Sequence, residues 1–107
     1  MEKTYNKLIR DKIPEIIESS GKEYVVEVLS DDECIQQLKV KLREELEEYM
    51  TATEDEEVTE LADLVEVVYA LLKHKNVSIE EFEKIRIQKQ KDRGAFDKKL
   101  FLKTVSE

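Results

Sequence analysis

Glycine and proline are almost missing from this chain, at two residues and one residue among 107, and tryptophan is absent altogether. Helix interiors reject Gly and Pro, so their scarcity leaves a composition suited to long helices and poor in the tight turns of an all-β fold. Cysteine occurs once, as Cys34, which rules out an intramolecular disulfide framework. It reads as a small packing residue on a helix. Basic residues are outnumbered, 18 Lys and Arg against 26 Asp and Glu, for a net charge of −8. General nucleic-acid binding depends on neutralised phosphates and is not expected from such a surface. An anionic ligand would need a bound cation to offset the repulsion. No apolar run approaches the roughly 20 residues of a membrane span. The opening MEKTYNKLIRDK lacks the apolar core of a secretory signal, so the expectation is a cytoplasmic protein with no membrane partner.

The length suits one domain, residues 1–107. A domain of this size buries only roughly two thirds of its unfolded surface, which makes association with copies of itself an expectation. Three helices are announced by the same start signal, a Ser or Thr followed three residues later by Glu: Ser30 with Glu33, Thr53 with Glu56, and Ser78 with Glu81. In such a capping box the hydroxyl accepts from the backbone at the fourth position, and the Glu reaches back to the cap's own N–H. The acids in each first turn also suit the helix dipole. The spacing predicts helices over about 31–50, 54–74 and 79–93, the last ending at Gly94 in a left-handed position. Residues 5–19 have a helical pattern interrupted at Pro14 and closed by Gly21. Residues 24–29, rich in β-branched side chains, and residues 99–103 are the candidates for a short two-stranded ribbon. The fold class expected is all-α, a bundle of four to five helices with that ribbon as its one β feature.

On the helix 31–50, Ile35, Leu38, Leu42, Leu46 and Tyr49 recur at helical spacing as the buried stripe. Glu45 follows Leu38 by seven residues and points nearly the same way, with Glu48 beside it on the same flank. A carboxylate on the margin of a core needs a partner, because burying it unpaired is costly. On the helix 54–74, the run 61–72 is apolar around nearly its whole circumference, and Asp63 and Glu66 are its only charged residues. Glu60 and Asp63 share a face with Leu64, Val67 and Leu71. Tyr69 and the aliphatic residues around it read as core or as an interface between copies. Each helix thus offers an acid pair at i, i+3, one member above the other. In a chain with 26 acids such spacing also arises by chance on solvated faces. The apolar setting of Glu60 and Asp63 favours the metal reading, since four inward carboxylates repel unless they are protonated or bound to a cation. Hard oxygen donors suit Mg²⁺ or Mn²⁺. His74 follows the last Lys of its helix and suits the C-terminal dipole rather than a metal.

These motifs resemble those of the MazG-like, all-α nucleoside triphosphate pyrophosphohydrolases. Glu44-Glu45-Leu46-Glu47-Glu48 followed by Glu60-Leu61-Ala62-Asp63 is the E-E-x-x-E … E-x-x-D pattern of that family. The segment from Tyr5 to Ile17, with R-D-K-I-P-E at its centre, is similar to the opening of a subgroup labelled phosphoribosyl-ATP pyrophosphohydrolase-like. Lys89 to Phe96 is similar to its closing motif, with Ala95 where a second Gly is common. The resemblance implies Glu45, Glu48, Glu60 and Asp63 as metal ligands, and Glu44 as an acid that orients or deprotonates a water. It implies Mg²⁺-dependent cleavage between the α- and β-phosphates of a nucleoside triphosphate, giving a monophosphate and pyrophosphate, by a homodimer or a tetramer of two dimers. Arg10, Lys12, Lys89 and Arg93 are candidate phosphate clamps, with Lys89 and Arg93 one helical turn apart, and Asn6 is a candidate contact to base or sugar. Two other readings stay open. One is hydrolysis of phosphoribosyl-ATP in histidine synthesis. The other is a non-catalytic helical interaction module, for which the 61–72 stretch would be the binding face.

Overall fold

The computed structural model describes residues 2–106. It is all-α: α1 spans Ile13–Ser19, α2 Asp31–Thr51, α3 Glu57–His74 and α4 Ile79–Arg93. Contacts group the chain into two units, Met1–Asn76 and Val77–Glu107.

In the first unit α2 packs along α3, and a connection of only a few residues returns the chain antiparallel. The start of α2 is a complete capping box. Ser30 Oγ accepts from the Glu33 N–H at 3.2 Å, and Glu33 Oε1 accepts from the Ser30 N–H at 3.3 Å. The second expected box does not form. Residues 54–56 make a turn, with the Thr53 carbonyl accepting from the Glu56 and Glu57 N–H groups at 2.9 and 3.1 Å, and α3 begins at Glu57 with no side-chain cap. The backbone satisfies the orphan donors there without the threonine hydroxyl.

Pro14 starts α1 rather than interrupting a longer helix, and residues 2–9 carry no helix. A proline lacks the N–H that the first helical turn leaves unpaired in any case, so that position costs nothing. The expected end at Gly21 is a Schellman turn. Gly21, at φ 81°, donates to the Glu18 carbonyl at 3.0 Å, and Lys22 donates to the Ile17 carbonyl at 3.3 Å.

The core of this unit is small. Leu38, Val67 and Leu72 are its buried apolar residues, all on α2 and α3. Ile35, Leu42 and Tyr49 are half-buried, while Leu46, expected in the stripe, is 47% exposed. Eight residues at 100° each carry Leu46 roughly 80° past Leu38, whereas seven bring Glu45 back to within roughly 20°. On α3, Tyr69 is half-buried, and Leu61 and Val65 stay exposed on the sides that α2 does not cover. Cys34 is a free thiol, half-buried in the first turns of α2.

In the second unit Ser78 caps α4 by accepting from the Glu81 N–H at 3.1 Å. Its hydroxyl also meets Glu81 Oε1 at 3.2 Å, so the cap forms without the reciprocal bond to the Ser78 backbone. The helix ends at Arg93 as expected, and Gly94 takes φ 83° with ψ 177°, a region open in practice only to glycine. Residues 24–29 and 99–103 form no strand; Val25 and Val28 are fully exposed. Branched side chains favour a pleated surface only where a neighbouring strand and a covering layer exist to pack them. No helix among the described residues is long and apolar enough to cross a membrane.

Candidate metal centre

The same periodicity that buries Leu38 turns Glu45 inward, and its residue is 7% exposed on the α3 side of α2. From α3, Glu60 and Asp63 approach it one turn apart. One carboxylate oxygen from each of Glu45, Glu60 and Asp63 lies within 4.8 Å of the other two. Glu45 Oε2 and Glu60 Oε2 are buried with no hydrogen-bond partner. Buried polar atoms are normally paired, and an acid acceptor left orphaned beside two other acids marks a place for a proton or a cation.

The electrostatics agree. Burial first, then the charge and close approach of the Glu48 carboxylate, hold the Glu45 carboxyl above its ordinary 4.5; Lys41 opposes the rise and Asp63 adds to it. Glu60 is raised by the same kinds of cause, desolvation foremost, followed by Glu48 and Asp63. Glu48 thus stands beside the cluster and interacts with members from both helices. It is itself exposed and lies outside the convergent group of three.

Among the described residues, two cations touch the acids. Arg10 Nη2 donates to Asp63 Oδ1 at 2.7 Å, a bond that ties the stretch before α1 to α3. Lys41 Nζ lies 3.6 Å from Glu45 Oε1 and 3.7 Å from Glu44 Oε2. No sequence motif marks Lys41, although its i, i+3 and i, i+4 spacing to those acids is a signal for the contact. Glu44 therefore faces Lys41 and is half-buried at the edge of α2.

The remaining expected phosphate and base contacts are exposed. Asn6 is exposed at φ 45°, and Lys12, also exposed, is the residue before the first turn of α1. Lys89 and Arg93 are exposed on α4, in the second unit. Glu66 is exposed and takes no part. His74 is the last residue of α3, where with Lys73 it complements the C-terminal dipole.

The donor set fits a hard divalent ion: carboxylate oxygens, two of them orphaned, drawn from two packed helices. Comparison with known proteins leads the same way. The description phosphoribosyl-ATP pyrophosphohydrolase matches residues 3–91. An uncharacterized protein of Mycolicibacterium smegmatis is 49% identical over 45 residues, which is 42% of this chain and 46% of that protein. The match thus spans under half the length of that relative. No solved structure is matched. With nearly the whole of its helical part covered, the chain belongs to the phosphoribosyl-ATP pyrophosphohydrolase family, within the MazG-like all-α nucleoside triphosphate pyrophosphatases.

Proposed function

We propose that this chain is a divalent-metal-dependent pyrophosphohydrolase that cleaves a nucleoside triphosphate between its α- and β-phosphates. The supporting observation is the convergence of Glu45, Glu60 and Asp63 with two buried carboxylate oxygens left unpartnered. Mg²⁺, or Mn²⁺ in its place, would be held by these three acids with Glu48 alongside. Bound there, the ion would neutralise phosphate charge and make a coordinated water more acidic.

The chain's own residues do the positioning. Glu44, at the solvent edge of α2, is the acid available to orient a water or take its proton as the α-phosphorus–oxygen bond to the pyrophosphate breaks. The water oxygen ends on the nucleoside monophosphate and the bridging oxygen leaves with pyrophosphate. Arg10 and Lys12 on the N-terminal segment supply cations for the phosphate oxygens. Lys89 and Arg93, on α4, are the further phosphate-clamp candidates that the sequence offers. Asn6 is the candidate contact to base or sugar. Phosphoryl transfer of this kind relies on placement and charge stabilisation rather than on covalent catalysis, which matches a site without a conventional nucleophile.

Homodimers or tetramers are part of this reading, because Leu46, Leu61 and Val65 stay 47%, 41% and 41% exposed on the two site-bearing helices. A cytoplasmic enzyme of nucleotide pools is the setting we favour. Phosphoribosyl-ATP is the second substrate candidate, since the same bond is broken. A purely non-catalytic interaction module would account for the exposed apolar residues but not for orphaned acids in register on two helices.

The test is pyrophosphate release from a panel of canonical, deoxy and modified nucleoside triphosphates and phosphoribosyl-ATP, with and without Mg²⁺. Metal-dependent turnover is expected and its preferred substrate names the role. Asp63→Ala should abolish it while circular dichroism and oligomer size stay unchanged. Full activity in that variant would remove Asp63 from the site.

A further inference from the structure

We propose that Arg10 is a metal-displaced phosphate ligand: its guanidinium competes with the divalent cation for Asp63, and cation binding hands it over to the phosphates of the substrate. The inference rests on the carboxylate centre described above and concerns how metal and nucleotide are coupled there.

Asp63 is in two relationships at once. It is one of the three acids whose oxygens lie within 4.8 Å of each other, and its Oδ1 accepts from Arg10 Nη2 at 2.7 Å. The other two members, Glu45 and Glu60, each keep a buried oxygen with no partner. Arg10 therefore neutralises one acid of the three from the rim and Lys41 stands 3.6 Å from Glu45 Oε1, while Glu45 Oε2 and Glu60 Oε2 stay unpartnered. A divalent ion drawn in by Glu45 and Glu60 would stand next to the guanidinium. Like charges repel at that range, and each cation weakens the hold of Asp63 on the other.

The position of Arg10 allows the exchange. Its side chain is 55% exposed, so it is not wedged in a core. Its backbone is fixed, because the Arg10 carbonyl accepts from the Ile13 N–H at 3.1 Å at the threshold of α1. The guanidinium can swing on its own stem while the chain stays anchored. Once released it is a planar fork of donors beside a neutralised acid cluster, which is the geometry that phosphate oxygens accept in pairs. A lysine at this position would carry the charge without the fork.

Two consequences follow from linkage. The metal prepares the phosphate site by freeing Arg10, and by reciprocity a bound nucleotide tightens the metal by occupying the competitor. Without its nucleotide, the chain binds the ion less tightly than its acids alone would allow.

The experiment is Mn²⁺ titration without nucleotide, read by the electron paramagnetic resonance of free Mn²⁺, on the unaltered chain, Arg10→Gln and Arg10→Lys. Arg10→Gln is expected to bind Mn²⁺ more tightly, by roughly tenfold, within the usual range of coupling between sites. Arg10→Lys should remain close to the unaltered chain. With Mn²⁺ saturating, an α,β-methylene nucleoside triphosphate, which resists hydrolysis, should bind both variants more weakly, with Lys restoring only part of the loss. Unchanged or weaker Mn²⁺ binding by Arg10→Gln would overturn the proposal, since it would make Arg10 a residue that merely orients Asp63. Absence of Mn²⁺ binding by the unaltered chain would overturn the metal centre itself, an outcome visible before any variant is compared.

Discussion

The two halves of α2 carry the same kind of side chain in opposite circumstances. In the first turn, Asp31, Asp32 and Glu33 are exposed and lie at the positive end of the helix dipole, and Glu33 closes a capping box with Ser30. Four turns on, Glu45 is buried against α3 with an oxygen unpartnered and Glu60 and Asp63 pressing on it. The first group is stabilised by the helix it belongs to. The second is destabilising where it stands and is tolerable only with an added proton or cation. A count of acids cannot separate these cases, whereas the pairing of each oxygen does.

The sharpest break of the comparison is in activity. Glu60→Ala should lower metal-dependent pyrophosphate release at least about 100-fold, beyond what outer-shell partners of a metal usually cost. Asp32→Ala removes the same charge from the first turn of α2 and should leave turnover unchanged. Equal losses in the two variants, measured at matched helical content, would mean that net charge rather than the cluster is responsible.

A smaller effect is expected in stability. Glu45 and Glu60 titrate above the ordinary 4.5, so the folded chain holds protons that the unfolded chain has released. Stability should therefore fall as pH rises from about 4.5 through their raised values. Glu45→Gln removes one of these carboxyls, and should raise the Tm of protein kept in chelator near neutral pH while flattening its decline as pH rises above 4.5. Excess Mg²⁺ should flatten the decline in the unaltered chain. A decline as steep in Glu45→Gln as in the unaltered chain would place the responsible groups elsewhere. The opposite sign holds for Glu83, which the Arg86 hydrogen bond keeps below 4.5, so its contribution is present at neutral pH and fades on acidification.

The smallest effect concerns the caps. Ser30 makes the complete box and Ser78 lacks the reciprocal backbone bond. Ser30→Ala should cost about 1 kcal/mol in denaturant unfolding, and Ser78→Ala less. The reverse order would show that the returning Glu33 contact adds nothing.

Much of the fold was legible because the signals are local. The Ser30 box, the run of core spacing from Leu38 to Glu45, and the stop at Gly94 each depend on neighbours within a turn or two. The misreadings share a cause. Pro14 reads alike inside a helix and at its start, and only the path of the preceding residues tells which. Thr53 matched a cap that the backbone of the turn made unnecessary. Val25, Val26 and Val28 carry the composition of a strand, but a strand exists through its partner, which composition does not record. Lys41 carries no signal of its own, because its role comes from the burial of Glu45 beside it.

By itself the sequence determined that the chain is helical and acidic, where α2 and α4 begin, and that Glu45, Glu48, Glu60 and Asp63 sit one turn apart in pairs. These follow from the 3.6-residue period and from the hydrogen-bonding needs of helix ends, which act over a few residues. Tertiary structure alone decided that Glu45, Glu60 and Asp63 converge, that Glu48 stays at their edge, and that Arg10 lies on Asp63 across 53 residues of chain. The reason is that a carboxylate's charge is set by what is excluded from around it. That exclusion comes from the packing of α2 on α3, which no single stretch of the sequence contains.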